Sequence, residues 1–146
     1  MILIIIHCIV NQIINKMAQV VRTYNNGNPY EEYFVMDGIR SSKEGIYKKY
    51  HYDGRQIFVI CNYINDKING EYKLYWENGQ LSEICYYFNG KKDGEFKKYY
   101  KSGQLYEIYN YIDGLIEGEY KEYDEAGQLY KHLIYKNNKI IKRIKG

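Results

Sequence analysis

Residues 70–81 read GEYKLYWENGQL, and the same wording returns along the chain. The pattern Gly-x-(Tyr/Phe)-x-x-Tyr-x-x-x-Gly begins at Gly45 (GIYKKYHYDG), Gly70 (GEYKLYWENG), Gly94 (GEFKKYYKSG) and Gly118 (GEYKEYDEAG), so its copies start 24 or 25 residues apart. Three copies continue identically, as Gly79-Gln80-Leu81, Gly103-Gln104-Leu105 and Gly127-Gln128-Leu129. A fixed period of this length marks a repeat array, in which each unit buries its apolar face only against its neighbours.

Each unit reads as a β-hairpin. The first strand carries two aromatic columns, Tyr47, Tyr72, Phe96, Tyr120 and Tyr50, Tyr75, Tyr99, Tyr123. It ends at a turn closed by Gly54, Gly79, Gly103 or Gly127, which suits a three-residue hairpin loop with one residue at positive φ. The second strand leads to another turn, at Asn65-Asp66, Asn89-Gly90, Asp113-Gly114 and Asn137-Asn138. These are the residue types of a type I′ turn, whose two central positions both need positive φ. Two turn chemistries alternate, and no helical periodicity interrupts them, so every strand is expected to pair antiparallel with the next.

The expected fold is all-β: one elongated, curved antiparallel meander of about 9–11 strands. Residues 18–44 read as a degenerate unit, with Asn26-Gly27 and Asp37-Gly38 at the two turn positions. The full repeats follow at 45–69, 70–93, 94–117 and 118–141, completing an array over 18–141. A basic C-terminal end occupies 142–146, where Ile140, Ile141 and Ile144 among lysines suggest a capping strand. Residues 1–17 are a separate, apolar stretch. Met1 to Ile14 is almost continuously apolar but shorter than the roughly 18 residues of a membrane span, and it lacks a basic leader. Met17 offers an alternative start, with 1–16 an extension outside the working protein. A poorly cleaved signal or membrane-inserting segment, or an extra strand or helix over the first repeat, are the alternatives.

The composition excludes several classes. The chain has 146 residues, room for one domain. Its twenty tyrosines suit pleated, half-buried surfaces, while the abundance of Ile, Asn and Lys alongside them fits an AT-rich genome. Net charge is +3, yet residues 131–146 hold six basic and no acidic residues, leaving −3 for the rest. The array is therefore no basic nucleic-acid binder, and nucleic acid is not expected as a partner. Cys8, Cys61 and Cys85 form no CxxC pair and no even set. Cys61 and Cys85 share a repeat column, so equivalent strands would hold them about 9.6 Å apart. A disulfide needs Cα atoms within roughly 7 Å, so both are read as apolar fillers in a reducing, intracellular compartment. His7, His51 and His132 fall in different columns, and no metal site, cofactor loop or catalytic set is expected.

These residues resemble MORN repeats, closest to the short variant found in tandem in bacterial antitoxin-like proteins. The motif residues are the Gly-x-Tyr openings and the Asn-Gly-Gln-Leu type turns. The resemblance covers 45–141 well and 18–44 weakly. It implies an elongated antiparallel sheet acting as a scaffold, or as a membrane-lipid or protein contact, and not as an enzyme. On this reading the partner is another protein held by the aromatic columns, with Tyr72, Tyr75, Trp76 and Tyr99 as anchors in the central units. The alternatives are a peripheral protein binding anionic membrane lipid through Lys142, Arg143 and Lys145, and an antitoxin-like regulatory subunit.

Overall fold

The computed structural model describes residues 17–36 and 42–146. Twelve strands form one sheet: β1 Met17–Thr23, β2 Pro29–Met36, β3 Lys43–Tyr50, β4 Ile57–Ile64, β5 Lys67–Tyr75, β6 Leu81–Phe88, β7 Lys91–Lys92, β8 Gly94–Tyr99, β9 Leu105–Ile112, β10 Leu115–Tyr123, β11 Leu129–Lys136 and β12 Lys139–Lys145. Every strand pairs antiparallel with its chain neighbour, except that β7 and β8 both pair with β6. β7 and β8 are one strand interrupted at Asp93, whose N–H still reaches the Tyr86 carbonyl at 2.9 Å. The sheet therefore has eleven strand places and twelve segments, against the expected 9–11 strands. No helix occurs among the described residues.

Both turn chemistries take the expected form. Asn65 and Asp66 (φ 50° and 62°) and Asn137 and Asn138 (49° and 63°) are left-handed at both central positions. So are Asn89-Gly90 (51° and 85°) and Asp113-Gly114 (52° and 85°). At the opposite end of each hairpin the loops span three residues. In the second full repeat the Gly79 N–H donates to the Trp76 carbonyl and the Trp76 N–H to the Gln80 carbonyl, both at 2.8 Å. Asn26-Gly27 builds the same loop in the first unit, with the Gly27 N–H on the Tyr24 carbonyl. Asp37-Gly38, the other expected turn of that unit, and residues 1–16 lie outside the described residues.

Each three-residue loop is followed by a bulge, because its closing pairs skip a residue: Tyr50 faces Ile57 while Lys49 faces Val59, and Tyr75 faces Leu81 while Leu74 faces Glu83. The slip puts Tyr75 and Leu81 on one face and Tyr72, Cys85 and Tyr87 on the other. The second face is the core. It holds Tyr33, Val59, Cys61, Cys85, Phe96 and Leu133, all buried. Two aromatic columns run side by side there: Tyr47, Tyr72, Phe96, Tyr120 and Tyr63, Tyr87, Tyr111, Tyr135. Their rings meet as Tyr47–Tyr63 (5.6 Å), Tyr72–Tyr87 (5.5 Å), Phe96–Tyr111 (6.2 Å) and Tyr120–Tyr135 (5.5 Å), and Tyr109, in the column of Cys61 and Cys85, lies against Phe96 (4.6 Å) and Tyr120 (5.1 Å). A single-layer sheet thus makes a core from side chains packed edge to edge along one surface. Lys43 lies over Tyr33, Tyr47 and Tyr63 at 4.6–5.4 Å, and Lys92 over Phe96 and Tyr111 at 4.9 and 5.1 Å, closing this core with cations at the type I′ end.

The buried carboxylates are paired: Glu31 accepts from the Tyr47 hydroxyl and meets Arg22. Glu122 is buried and accepts from Lys131, Tyr120 and Tyr130. Burial raises its pKa, but the hydrogen bonds from Lys131, Tyr120 and Tyr130 and the Lys131 charge outweigh this and hold it below the usual carboxylate range. A folded-state pKa below the unfolded one stabilises the fold above the unfolded value, about 4.3, and the contribution is lost as pH falls through the folded value. Glu122→Gln should therefore cost stability at neutral pH and cost progressively less as pH drops toward about 3. Urea unfolding of both proteins across that range checks the convergence; a constant difference would contradict it.

Candidate functional site

The repeats bind one another through their ends as well as their strands. The Trp76 indole Nε1–H donates to the Tyr99 carbonyl (3.2 Å) and the Tyr100 hydroxyl to the Tyr123 carbonyl (2.9 Å), while His51 Nε2 sits 3.1 Å from the Tyr75 carbonyl. These three residues occupy one column, directly after the Tyr50/Tyr75/Tyr99 column, and each reaches one unit along. Asn28 and Asn78 do the same from the loops, donating to the Asp53 and Lys101 carbonyls at 2.9 and 3.1 Å. Lys101 also lies 5.5 Å from the Trp76 ring. Trp76 is therefore a tie between units. The recurrence of a polar-tipped side chain at 51, 76 and 100 was the available signal for this row.

The four expected anchors do not share a face. Tyr72 lies in the core face between Cys61 and Cys85, its cross-strand partners, and burial pushes its phenol up to about 12. Burial likewise pushes both thiols up to about 11, with Lys43 and Lys92 pulling slightly the other way; both cysteines are free. Tyr75 and Tyr99 stand on the opposite face, paired with Leu81 and Leu105. That face carries a continuous row, Tyr50, Ile57, Tyr75, Leu81, Tyr99, Leu105, Tyr123, Leu129, in which each tyrosine sits directly across from the following Ile or Leu.

Beside this row run two others. One alternates Lys48, Lys73, Lys97 and Lys121 with Ile60, Ile84, Ile108 and His132, its members facing one another across β3–β4, β5–β6, β8–β9 and β10–β11. The next alternates Glu71, Glu95 and Glu119 with Tyr86, Asn110 and Ile134. Lys73, Lys97 and Lys121 each pair with the glutamate two residues back on the same strand, so neither sign of charge is left over there. These glutamates hold the three lysine pKa values above the usual range.

Open clefts occur on this second face. One is lined by Ile46, Ile60, Asn62, Glu71, Lys73 and Tyr75, another by Glu95, Ile108, Asn110, Glu119 and Lys121. In the repeat between them Tyr86 stands where the others have Asn62 and Asn110. Its hydroxyl meets Glu71 at 3.4 Å, filling the middle position. Among the described residues, the second face is thus a grooved surface with an aromatic rail whose lysines are paired with glutamates. Among the described residues no group of three or more His, Cys, Asp or Glu is placed to hold a metal ion, and no helix is long and apolar enough to cross a membrane.

Lys142, Arg143 and Lys145 fall in β12, whose residues are all exposed. Arg143 faces Leu133 of the core face, whereas Lys142 faces Ile134 and Lys145 faces His132 of the other. The basic end is a strand with its charges divided between two surfaces.

Comparison with known proteins places this architecture. The family described as MORN repeat variant matches residues 68–91, 92–113 and 116–137. No curated protein matches the chain. Among solved structures, the crystal structure of TarM is 7% identical with a TM-score of 0.36, over 95% of this chain and 23% of that one. This chain spans less than a quarter of that protein's length, and the likeness carries no argument.

Proposed function

We propose, on the footing that residues 68–137 are consecutive MORN repeats, that this MORN-repeat protein is a non-catalytic scaffold holding another protein on its grooved second face. MORN repeats are generally found in binding and scaffold proteins, and the family is generally non-catalytic. The observation that supports this choice of face is the Tyr/Leu row. Tyr75 belongs to it at the margin of an open cleft and Tyr99 stands one unit along, while the other aromatic columns pack in the core or tie neighbouring units together. Tyrosine buries much apolar area at small entropic cost and keeps a polar tip, which makes it a frequent hot-spot residue.

The test is a Tyr75→Ala/Tyr99→Ala double variant, with capture of partners from the native cell and a melting curve. The variant is expected to stay folded and to lose its partner. Trp76→Ala, in contrast, should lower stability by about 2 kcal/mol or more, since it removes a half-buried ring and a hydrogen bond between units. If the double variant retains its partner at full strength, the grooved face is not the binding face.

A further inference from the structure

Given the grooved face as the binding face, which is the reading proposed above, the pitch of its Tyr/Leu row selects the kind of segment that can lie along it. Tyr50, Tyr75, Tyr99 and Tyr123 are half-buried and stand two strands apart, about 9.6 Å at the usual strand spacing. The smaller Ile57, Leu81 and Leu105 lie between them. An occupant meets each tyrosine in turn only if its own side chains recur at that distance on one side. An α-helix does so every seven residues, about 10.5 Å, and slips by about 3 Å over three intervals. A β-strand advances about 10 Å in three residues, but residues three apart point to opposite sides. A polyproline II helix has three residues per turn at about 3.1 Å each, so one side recurs about every 9.3 Å. Over three intervals it drifts from the tyrosines by only about 1 Å.

The polar groups and charges of the row agree with that geometry. A polyproline II backbone makes no internal hydrogen bonds, so its carbonyls and remaining N–H groups need partners outside. The hydroxyls of Tyr75, Tyr99 and Tyr123 make no hydrogen bond among the described residues, whereas those of Tyr100 and Tyr120 are taken. A cleft at the row is lined by Gln56, Ile57 and Tyr75, and Gln56 Oε1 is buried there without a hydrogen-bond partner among the described residues. Along the flank Lys73, Lys97 and Lys121 are already held by Glu71, Glu95 and Glu119, which favours an uncharged segment. At the fourth-repeat end the loop after Tyr123 carries Asp124 and Glu125, which form no ion pair among the described residues. A basic residue complements them. We propose that the row binds a proline-rich segment of the partner protein in the polyproline II conformation, with an apolar side chain at every third position seated between successive tyrosines and a basic residue over Glu125.

The full chain should be titrated with a capped peptide of four Pro-Pro-Leu triplets ending in arginine. Saturable binding is expected. A peptide of the same composition with its leucines spaced alternately two and four residues apart keeps the conformation and loses the pitch, and it should bind about tenfold more weakly. Tyr75→Ala/Tyr99→Ala should weaken binding of the regular peptide by about tenfold or more. Glu125→Arg should weaken it by about threefold while leaving the peptide without arginine unaffected. Equal binding of the two leucine spacings would overturn the proposal, and this comparison uses the unaltered protein. So would tighter binding of a helical peptide with leucine at every seventh position, or unchanged affinity in the double tyrosine variant. Absence of peptide binding overturns the polyproline inference alone. The choice of face falls only if the double variant keeps its native partner, so the two failures are distinguishable.

Discussion

Phe96→Ala is expected to cost about 3–5 kcal/mol of unfolding free energy, the usual range for truncating a buried ring. Phe96 is 3% exposed, stacks on Tyr109 and meets Tyr111 edge-on at 6.2 Å. Lys92 lies 4.9 Å from its centroid, so truncation also strips a cation of its aromatic partner. The neighbours are held by strand pairing and cannot collapse far into the gap. Phe96→Tyr is the informative control. The same column holds tyrosine in the other three units, and Tyr120 gives its hydroxyl to Glu107 at 2.7 Å. One repeat earlier, the corresponding carboxylate is Glu83. Phe96→Tyr should therefore be nearly neutral. Equilibrium urea unfolding measures both variants, and a loss under about 1 kcal/mol for the alanine variant would mean that the core has been placed on the wrong face.

Gly114→Val should cost about 2 kcal/mol or more, and here no contact is lost. A Cβ at Gly114 would meet nothing within 4 Å, but φ there is +85°, and a β-branched residue pays heavily in the left-handed region. Gly90 has the same φ, with its Cβ position in ordinary contact with Lys67, and Gly90→Val should behave alike. The reverse exchanges, Asp66→Gly and Asn138→Gly, relieve a non-glycine residue at φ 62° and 63°. Each also removes a side-chain acceptor, since Asp66 Oδ1 takes the Lys43 N–H and Asn138 Oδ1 the Ile116 N–H, both at 2.6 Å. The two effects oppose each other, so a change within about 1 kcal/mol is expected. A melting curve for Gly114→Val that overlays the parent would refute the turn geometry.

How much of this was legible in the residues divides along physical lines. The turns were, because a left-handed position leaves few choices beyond Gly, Asn and Asp, and those recur at Asn65-Asp66, Asn89-Gly90, Asp113-Gly114 and Asn137-Asn138. The meander followed from the turns. Which aromatic column is core was harder to see, because Tyr72 and Tyr75 each face apolar partners in their own row. The bulge after each three-residue loop decides which residues share a surface, and it leaves no mark in composition. Trp76 looked like a free anchor because its indole N–H seeks a backbone carbonyl, and no pattern of side chains displays a carbonyl one unit away. The three basic residues of β12 looked like one patch because they are close in sequence, whereas a strand alternates their directions.

The ties from each repeat to the next make the protein a ruler. Trp76, Tyr100 and Asn78 each reach one unit along, and the type I′ turns likewise bond to the strand one repeat back, as Gly90 does to Ile68 and Gly114 to Lys92. A block of 24 residues is therefore an interchangeable graduation, about 9.6 Å long. Removing residues 94–117 would join Asp93 to Gly118, two positions already in register, and would shorten the grooved face by one mark while leaving the remaining marks in place. Any partner that touches two of its tyrosines is thereby measured by how many repeats lie between them.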